Sequence, residues 1–159
     1  MSNLWTLTQA HFSDEILIPG ETIPAMFWNA VAKRGDSVWM RQKELGIWRS
    51  WTWNQTADAV REIAAGLVSL GFDKGECAAI LSNTTVEWVW ADLAILSVGG
   101  VSNGIYPTDA ASQVEYLLTD SGSVYAFVED EEQLDKLLEV RARAPKLRSC
   151  ASLPRWNAP

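Results

Sequence analysis

Apolar and polar residues fall into blocks of helical or strand period along most of the chain, and the blocks change over at turn residues. Residues 1–21 show no strong period and read as an irregular arm. Thr22-Ile23-Pro24 has the form of a helix start, with Thr22 as N-cap and Pro24 in the first turn, where its missing N–H costs nothing. Ile23, Met26, Phe27, Ala30 and Val31 then share one face, and Gly35 ends the helix. Ser37 to Lys43 and Ile47 to Trp53 alternate apolar and polar residues on either side of Glu44-Leu45-Gly46, the pattern of a β-hairpin.

Thr52 and Gln55 form an S/T-x-x-E/Q capping box, in which each side chain satisfies the other residue's backbone N–H. The helix it opens places Ala57, Val60, Ile63, Ala64, Leu67 and Val68 on one face, with Gly71 just past its end. Cys77 to Leu81 is a short apolar strand. Thr84 and Glu87 repeat the capping-box spacing before a helix through Val98, which is apolar nearly all round and so predicted to be buried on more than one side. Val101 to Ile105 reads as a strand, broken by Tyr106-Pro107. Thr108 or Asp109 is the expected cap of a helix carrying Ala110, Val114, Leu117 and Leu118. Val124 to Val128 is another strand, and Asp130 opens a helix carrying Leu134, Leu137 and Leu138, closed at Pro145. This alternation predicts an α/β fold: a mainly parallel sheet with flanking helices and right-handed crossovers, preceded by the hairpin. Ser149 to Pro159 lose the pattern and read as an irregular tail.

The 159 residues suit one domain, and their 48% hydrophobic content is that of a globular chain. Twenty acidic against thirteen basic residues give a net charge of −7, which argues against nucleic acid as a partner. The first fifteen residues lack the basic and apolar regions of a signal peptide. The most apolar run, Val86 to Val98, is interrupted by Glu87 and Asp92 and is shorter than the ~20 residues of a membrane span. Cys77 and Cys150 read as reduced thiols, which with the missing leader points to the cytoplasm. The nine tryptophans read chiefly as core, with some facing an interface.

Candidate chemistry is sparse. His11, Cys77 and Cys150 make no zinc ligand set, and no Gly-x-Ser-x-Gly elbow presents a serine to His11, which reads as solvated. No glycine precedes a lysine, so there is no Walker-type phosphate loop. Gly99 to Gly104 is glycine-rich but follows a helix and precedes a strand, the reverse of the dinucleotide-binding order; it reads as a helix end with close backbone packing. Glu129-Asp130-Glu131-Glu132 falls at a helix start, where the dipole favours solvated negative charge. Asp92 interrupts an apolar helix and faces solvent or a partner. No catalytic, cofactor-binding or metal-binding residue is identified.

One ordered set of short motifs runs from Trp48 to Val128: Ser50-Trp51-Thr52-Trp53-Asn54-Gln55, then Leu70-Gly71-Phe72-Asp73-Lys74-Gly75 leading into Cys77 to Leu81. Asn83-Thr84-Thr85-Val86-Glu87-Trp88, Leu93 to Val101, Ile105-Tyr106-Pro107-Thr108, Tyr116-Leu117-Leu118 and Asp120-Ser121-Gly122 complete it. In order and spacing this set resembles the N-terminal part of an AMP-forming acyl-CoA synthetase of the adenylate-forming superfamily. The Ile-Tyr-Pro-Thr form is closest to the long-chain fatty acid branch, and weaker matches extend the resemblance from Thr22 to Arg148. The resemblance implies a fatty acid, ATP with Mg²⁺, and CoA as reactants of the full-length family, through an acyl-adenylate to a thioester. It also implies that residues 1–148 are a partial N-terminal AMP-binding domain and that residues 149–159 depart from the family, as a frameshift or truncated gene would produce. The family's Ser/Thr/Gly-rich phosphate loop ending in Pro-Lys-Gly has no counterpart here, so the chain is expected to be inactive alone and to hold no cofactor. Missing strands would leave exposed sheet edges prone to dimerisation or aggregation. The rival readings are a free-standing interaction module that kept this fold and lost its chemistry, and an unrelated flavodoxin-like domain.

Overall fold

The computed structural model describes residues 20–153. Helix α1 (Ile23–Arg34) begins at Thr22, whose hydroxyl accepts the Ala25 N–H at 3.2 Å. Of its predicted stripe, Phe27, Ala30 and Val31 are buried, whereas Ile23 and Met26 stay exposed. Strands β1 (Val38–Glu44) and β2 (Ile47–Thr52) pair antiparallel through a two-residue turn at Leu45-Gly46, so Glu44 belongs to the strand rather than the turn. Helix α2 (Trp53–Ser69) carries the predicted capping box: Thr52 Oγ1 accepts the Gln55 N–H at 3.1 Å, and Gln55 Oε1 accepts the Thr52 N–H at 2.9 Å.

The rest is strand and helix in strict alternation: β3 (Cys77–Leu81), α3 (Val86–Ser97), β4 (Val101–Ile105), α4 (Ala111–Ser121), β5 (Tyr125–Val128), α5 (Glu131–Val140), a 3₁₀ turn (Arg141–Arg143) and β6 (Ser149–Ser152). The four strands form one parallel sheet in the order β4-β3-β5-β6. β3 lies inside, and all five of its residues are buried, which is why its sequence is continuously apolar. On one face, Ala79 and Leu81 pack with Val114 and Leu118 of α4 and Leu137 and Val140 of α5. On the other, Ala78 and Ile80 pack with Leu67 of α2 and Ala91 and Ile95 of α3. A third cluster joins α1, β2, α2 and α3 around Phe27, Trp51, Val60 and Trp90. Helix α3 is thus buried between the sheet and the α1–α2 layer, as its all-round apolarity predicts.

Three local expectations are corrected. The cap of α3 is Thr85, not Thr84: Thr85 is extended, and its Oγ1 accepts the Trp88 N–H at 3.2 Å. Helix α4 starts after Ala110, which has no capping side chain, because Tyr106 to Asp109 are used in a turn closed by the Asp109 N–H on the Tyr106 carbonyl. Residues 149–152 are not irregular. They pair in register with β5, Tyr125 with Ser149 through Val128 with Ser152. Cys150 packs against the α4–α5 core and Leu153 enters the opposite one. A four-residue edge strand of small side chains leaves no hydrophobic period to read. Residues 154–159 and the arm to residue 19, with His11, Trp5 and Trp156, lie outside the described residues.

Of the other tryptophans, Trp51 and Trp90 are buried, and Trp39 stacks on Trp53 with ring centroids 4.2 Å apart beside Phe27. Trp28 lies under the Arg61 guanidinium and donates its Nε1–H to Ser97 Oγ at 3.2 Å. Core packing therefore accounts for most of them, and Trp48 alone among the seven described is largely exposed.

Candidate functional site

In an open parallel sheet, ligands bind beyond the carboxyl ends of neighbouring strands whose connections leave to opposite faces. Here those strands are β3, which feeds α3 on one face, and β5, which feeds α5 on the other. The loops Ser82-Asn83 and Glu129-Asp130 border the crevice, and a hollow of about 590 Å³ opens beside it, lined by Glu129 to Glu132, Leu134, Ser152 and Leu153.

The crevice is closed by the chain itself. Glu129 Oε2 accepts the Asn83 backbone N–H at 2.7 Å, Asn83 Nδ2–H at 3.0 Å, and lies 3.2 Å from the Ser82 hydroxyl. That hydroxyl is buried and also lies 2.7 Å from the Asn83 carbonyl oxygen. The Glu129 N–H donates to the Leu81 carbonyl at 3.2 Å, so main chain and side chain fasten the two loops together. The helix N-termini nearby are partly capped. Thr85 caps α3, and the Gln42 amide oxygen, reaching over from β1, accepts the Val86 N–H at 3.0 Å. Asp130 Oδ1 accepts the Gln133 N–H at 3.0 Å.

These partners decide what the crevice can hold. A nucleotide phosphate needs free N–H donors or cations. The Ser82 and Asn83 donors are taken by Glu129, and the hollow is lined by four carboxylates and no cation. Lys136 is engaged by the Pro107 carbonyl at 2.6 Å and by Glu132 at 3.1 Å, which ties α5 to the loop before α4. Among the described residues no group of three or more His, Cys, Asp or Glu could hold a metal ion.

The residues singled out in the sequence fall as follows. Cys77 is buried, Cys150 is half-buried, and both are free thiols. Gly100 belongs to close packing, since a Cβ there would meet Phe72 Cε1 at 2.5 Å. Asp92 is half-buried on α3. The acidic run divides: Asp130, Glu131 and Glu132 lie exposed at the start of α5, whereas Glu129 turns inward as the clasp. That role depends on two loops 46 residues apart, and no local sequence signal marks it.

Comparison with known proteins gives the family. A family model described as AMP-binding enzyme matches residues 27–158. The long-chain-fatty-acid–CoA ligase FadD15 of Mycobacterium bovis is 39% identical over 103 residues, covering 65% of this chain and 17% of that protein. The long-chain-fatty-acid–CoA ligase ACSBG2 of Xenopus laevis is 31% identical over 137 residues, covering 86% of this chain and 18% of that protein. The chain thus spans less than a fifth of the length of these relatives. A Mycobacterium tuberculosis fatty acyl CoA synthetase of known structure superposes with a TM-score of 0.71 at 21% identity, over 82% of this chain and 26% of that one. The same parallel core recurs in that enzyme, and the family match runs from α1 past the last strand of the sheet: the chain belongs to the AMP-binding enzyme family.

Proposed function

We propose that this chain is the N-terminal part of an ATP-dependent long-chain fatty acid–CoA ligase, and that by itself it forms neither acyl-adenylate nor acyl-CoA. The observation that carries the reading is the self-closed crevice in a chain that spans less than a fifth of the FadD15 and ACSBG2 ligases compared above. ATP, Mg²⁺, CoA and the fatty acid are reactants of the longer protein in this reading. Their binding groups belong to its later segments, since the phosphate loop ending in Pro-Lys-Gly has no counterpart in this sequence. The partial AMP-binding domain takes in residues 1–148, β6 carries its sheet on through Ser152, and the protein acts in the cytoplasm. No helix among the described residues is long and apolar enough to cross a membrane.

The outer edge of β6 has no partner strand among the described residues. An apolar groove of about 200 Å³ runs beside it between Leu67 of α2, Leu70 just past its end, and Phe127 and Ala151 of the sheet. We expect the isolated chain to associate there, with an apparent molar mass by light scattering that rises with concentration; a monodisperse monomer counts against this. The catalytic claim is tested by ATP–pyrophosphate exchange with palmitate and Mg²⁺. The chain alone is expected to exchange no label, and fatty-acid-dependent exchange would overturn the reading.

A further inference from the structure

The β1–β2 hairpin carries its most apolar residues where water reaches them most freely. Leu45 at the turn is 98% exposed, and Ile47 and Trp48 beside it are 69% and 64% exposed. Leu45 also has φ +48°, the one positive φ among the described non-glycine residues. A two-residue turn with Gly46 at φ +86° is best served by Asn or Asp at the position Leu45 occupies. A leucine there costs backbone strain and hydration, and at 98% exposure it gains no packing among the described residues that would offset them.

The base of the hairpin is rigid. Trp51 is buried, Trp39 stacks on Trp53, and Gln42 is bonded to the start of α3. The tip therefore projects from a fixed platform. Its surroundings are basic in an acidic protein. Lys43 lies across the ladder from Trp48 and Arg41 across from Ser50, on the solvent face, while Arg49 pairs with Glu44 at 3.1 Å. From Val38 to Trp53 there are three cations and a single carboxylate, whereas the whole chain carries −7.

We propose that this hairpin tip docks on an anionic lipid bilayer. Leu45, Ile47 and Trp48 enter the boundary between headgroups and acyl chains, where an indole and an aliphatic pair are both accommodated. Arg41 and Lys43 lay their stems along the apolar tip and hold lipid phosphates. The proposal stands on the hairpin's geometry and charge and does not depend on the ligase reading.

The test is flotation of the full chain with vesicles of three parts phosphatidylcholine to one part phosphatidylglycerol, against vesicles of phosphatidylcholine alone. Flotation separates bilayer binding from self-association, since aggregates do not rise with the lipid. The chain is expected to float with the anionic vesicles and less with the neutral ones. Leu45→Asn should lower binding about tenfold or more, because it removes an aliphatic side chain that the bilayer would bury, yet raise the melting temperature, because Asn suits the turn. Lys43→Gln should lower binding about fivefold, and added salt should do the same. The proposal is overturned if the chain floats with neither vesicle, or if Leu45→Asn floats as well as the parent. It is equally overturned if Leu45→Asn lowers the melting temperature, which would mean that Leu45 packs on protein.

Discussion

Replacing Glu129 by alanine removes the carboxylate that fastens the β3–α3 loop to the β5–α5 loop. Three donors lie on one of its oxygens. Hydrogen bonds to a charged acceptor contribute about 1.5–3 kcal/mol each when water cannot replace the partner. That condition is only partly met. The Asn83 side chain is exposed and regains water, and the Ser82 hydroxyl keeps the Asn83 carbonyl as a partner. The Asn83 backbone N–H and the coupling of the two loops remain, which puts the loss near 2 kcal/mol for Glu129→Ala. For a chain of this length that is a fall of roughly 4–8 °C in melting temperature. Glu129→Gln keeps one acceptor oxygen without the charge and should lose about half as much. Urea unfolding followed by tryptophan fluorescence reads both variants. Glu129→Ala combined with Asn83→Ala should destabilise by less than the sum of the single changes, by about 0.5–1 kcal/mol, because the side chains share a bond. A Glu129→Ala midpoint equal to the parent's, or strict additivity, would refute the clasp.

The same unfolding assay checks two core positions. Gly100→Ala should cost about 1–3 kcal/mol, since the new methyl would meet the buried Phe72 ring at 2.5 Å and Ile95 Cγ2 at 3.0 Å, neither of which has room to retreat; an unchanged midpoint would contradict that packing. Thr56 is fully buried and its hydroxyl has no hydrogen-bond partner among the described residues, so Thr56→Val should be neutral or stabilising by up to ~1 kcal/mol, and a clear loss would mean that the hydroxyl is bonded. Glu76 has its carboxyl held below the ordinary value of 4.5, first by the Asp73 N–H at 2.9 Å and further by Arg148, with burial opposing them. A folded-state pKa below the unfolded one gives stability that is present above the unfolded value and lost as pH falls through the folded value. The stability lead of the parent over Glu76→Gln should therefore shrink as pH is lowered from neutral through the carboxylate range; a lead that holds or grows in acid would reverse the sign.

Where a residue's environment is set by its own element, the pattern of the chain was legible. Five consecutive apolar residues marked β3 because an inside strand is buried on both faces. The Thr52–Gln55 box marked the start of α2 because both of its bonds are local. Legibility failed where a choice depended on partners distant in sequence. Thr84 carries the capping-box spacing to Glu87, yet the chain turns into the helix one residue later and Thr85 is the cap. Ser149 to Ser152 form a strand because β5 offers an open ladder, not because their side chains demand one. Glu129 reads like its three acidic neighbours until the strand order brings Ser82 and Asn83 beside it. The family was legible because it rests on turn and packing residues in fixed order. The crevice was not, because it exists only once β3 and β5 are neighbours.

The central claim is that this chain is the N-terminal portion of a long-chain ligase, competent in that context and inert outside it. The most direct test replaces the matching segment of the Mycobacterium bovis FadD15 ligase by residues 20–153 of this chain and assays palmitoyl-CoA formation from palmitate, ATP and CoA beside the chain alone. The account predicts product from the chimera and none from the isolated chain. A folded chimera that makes no product, or an isolated chain that does, would contradict it.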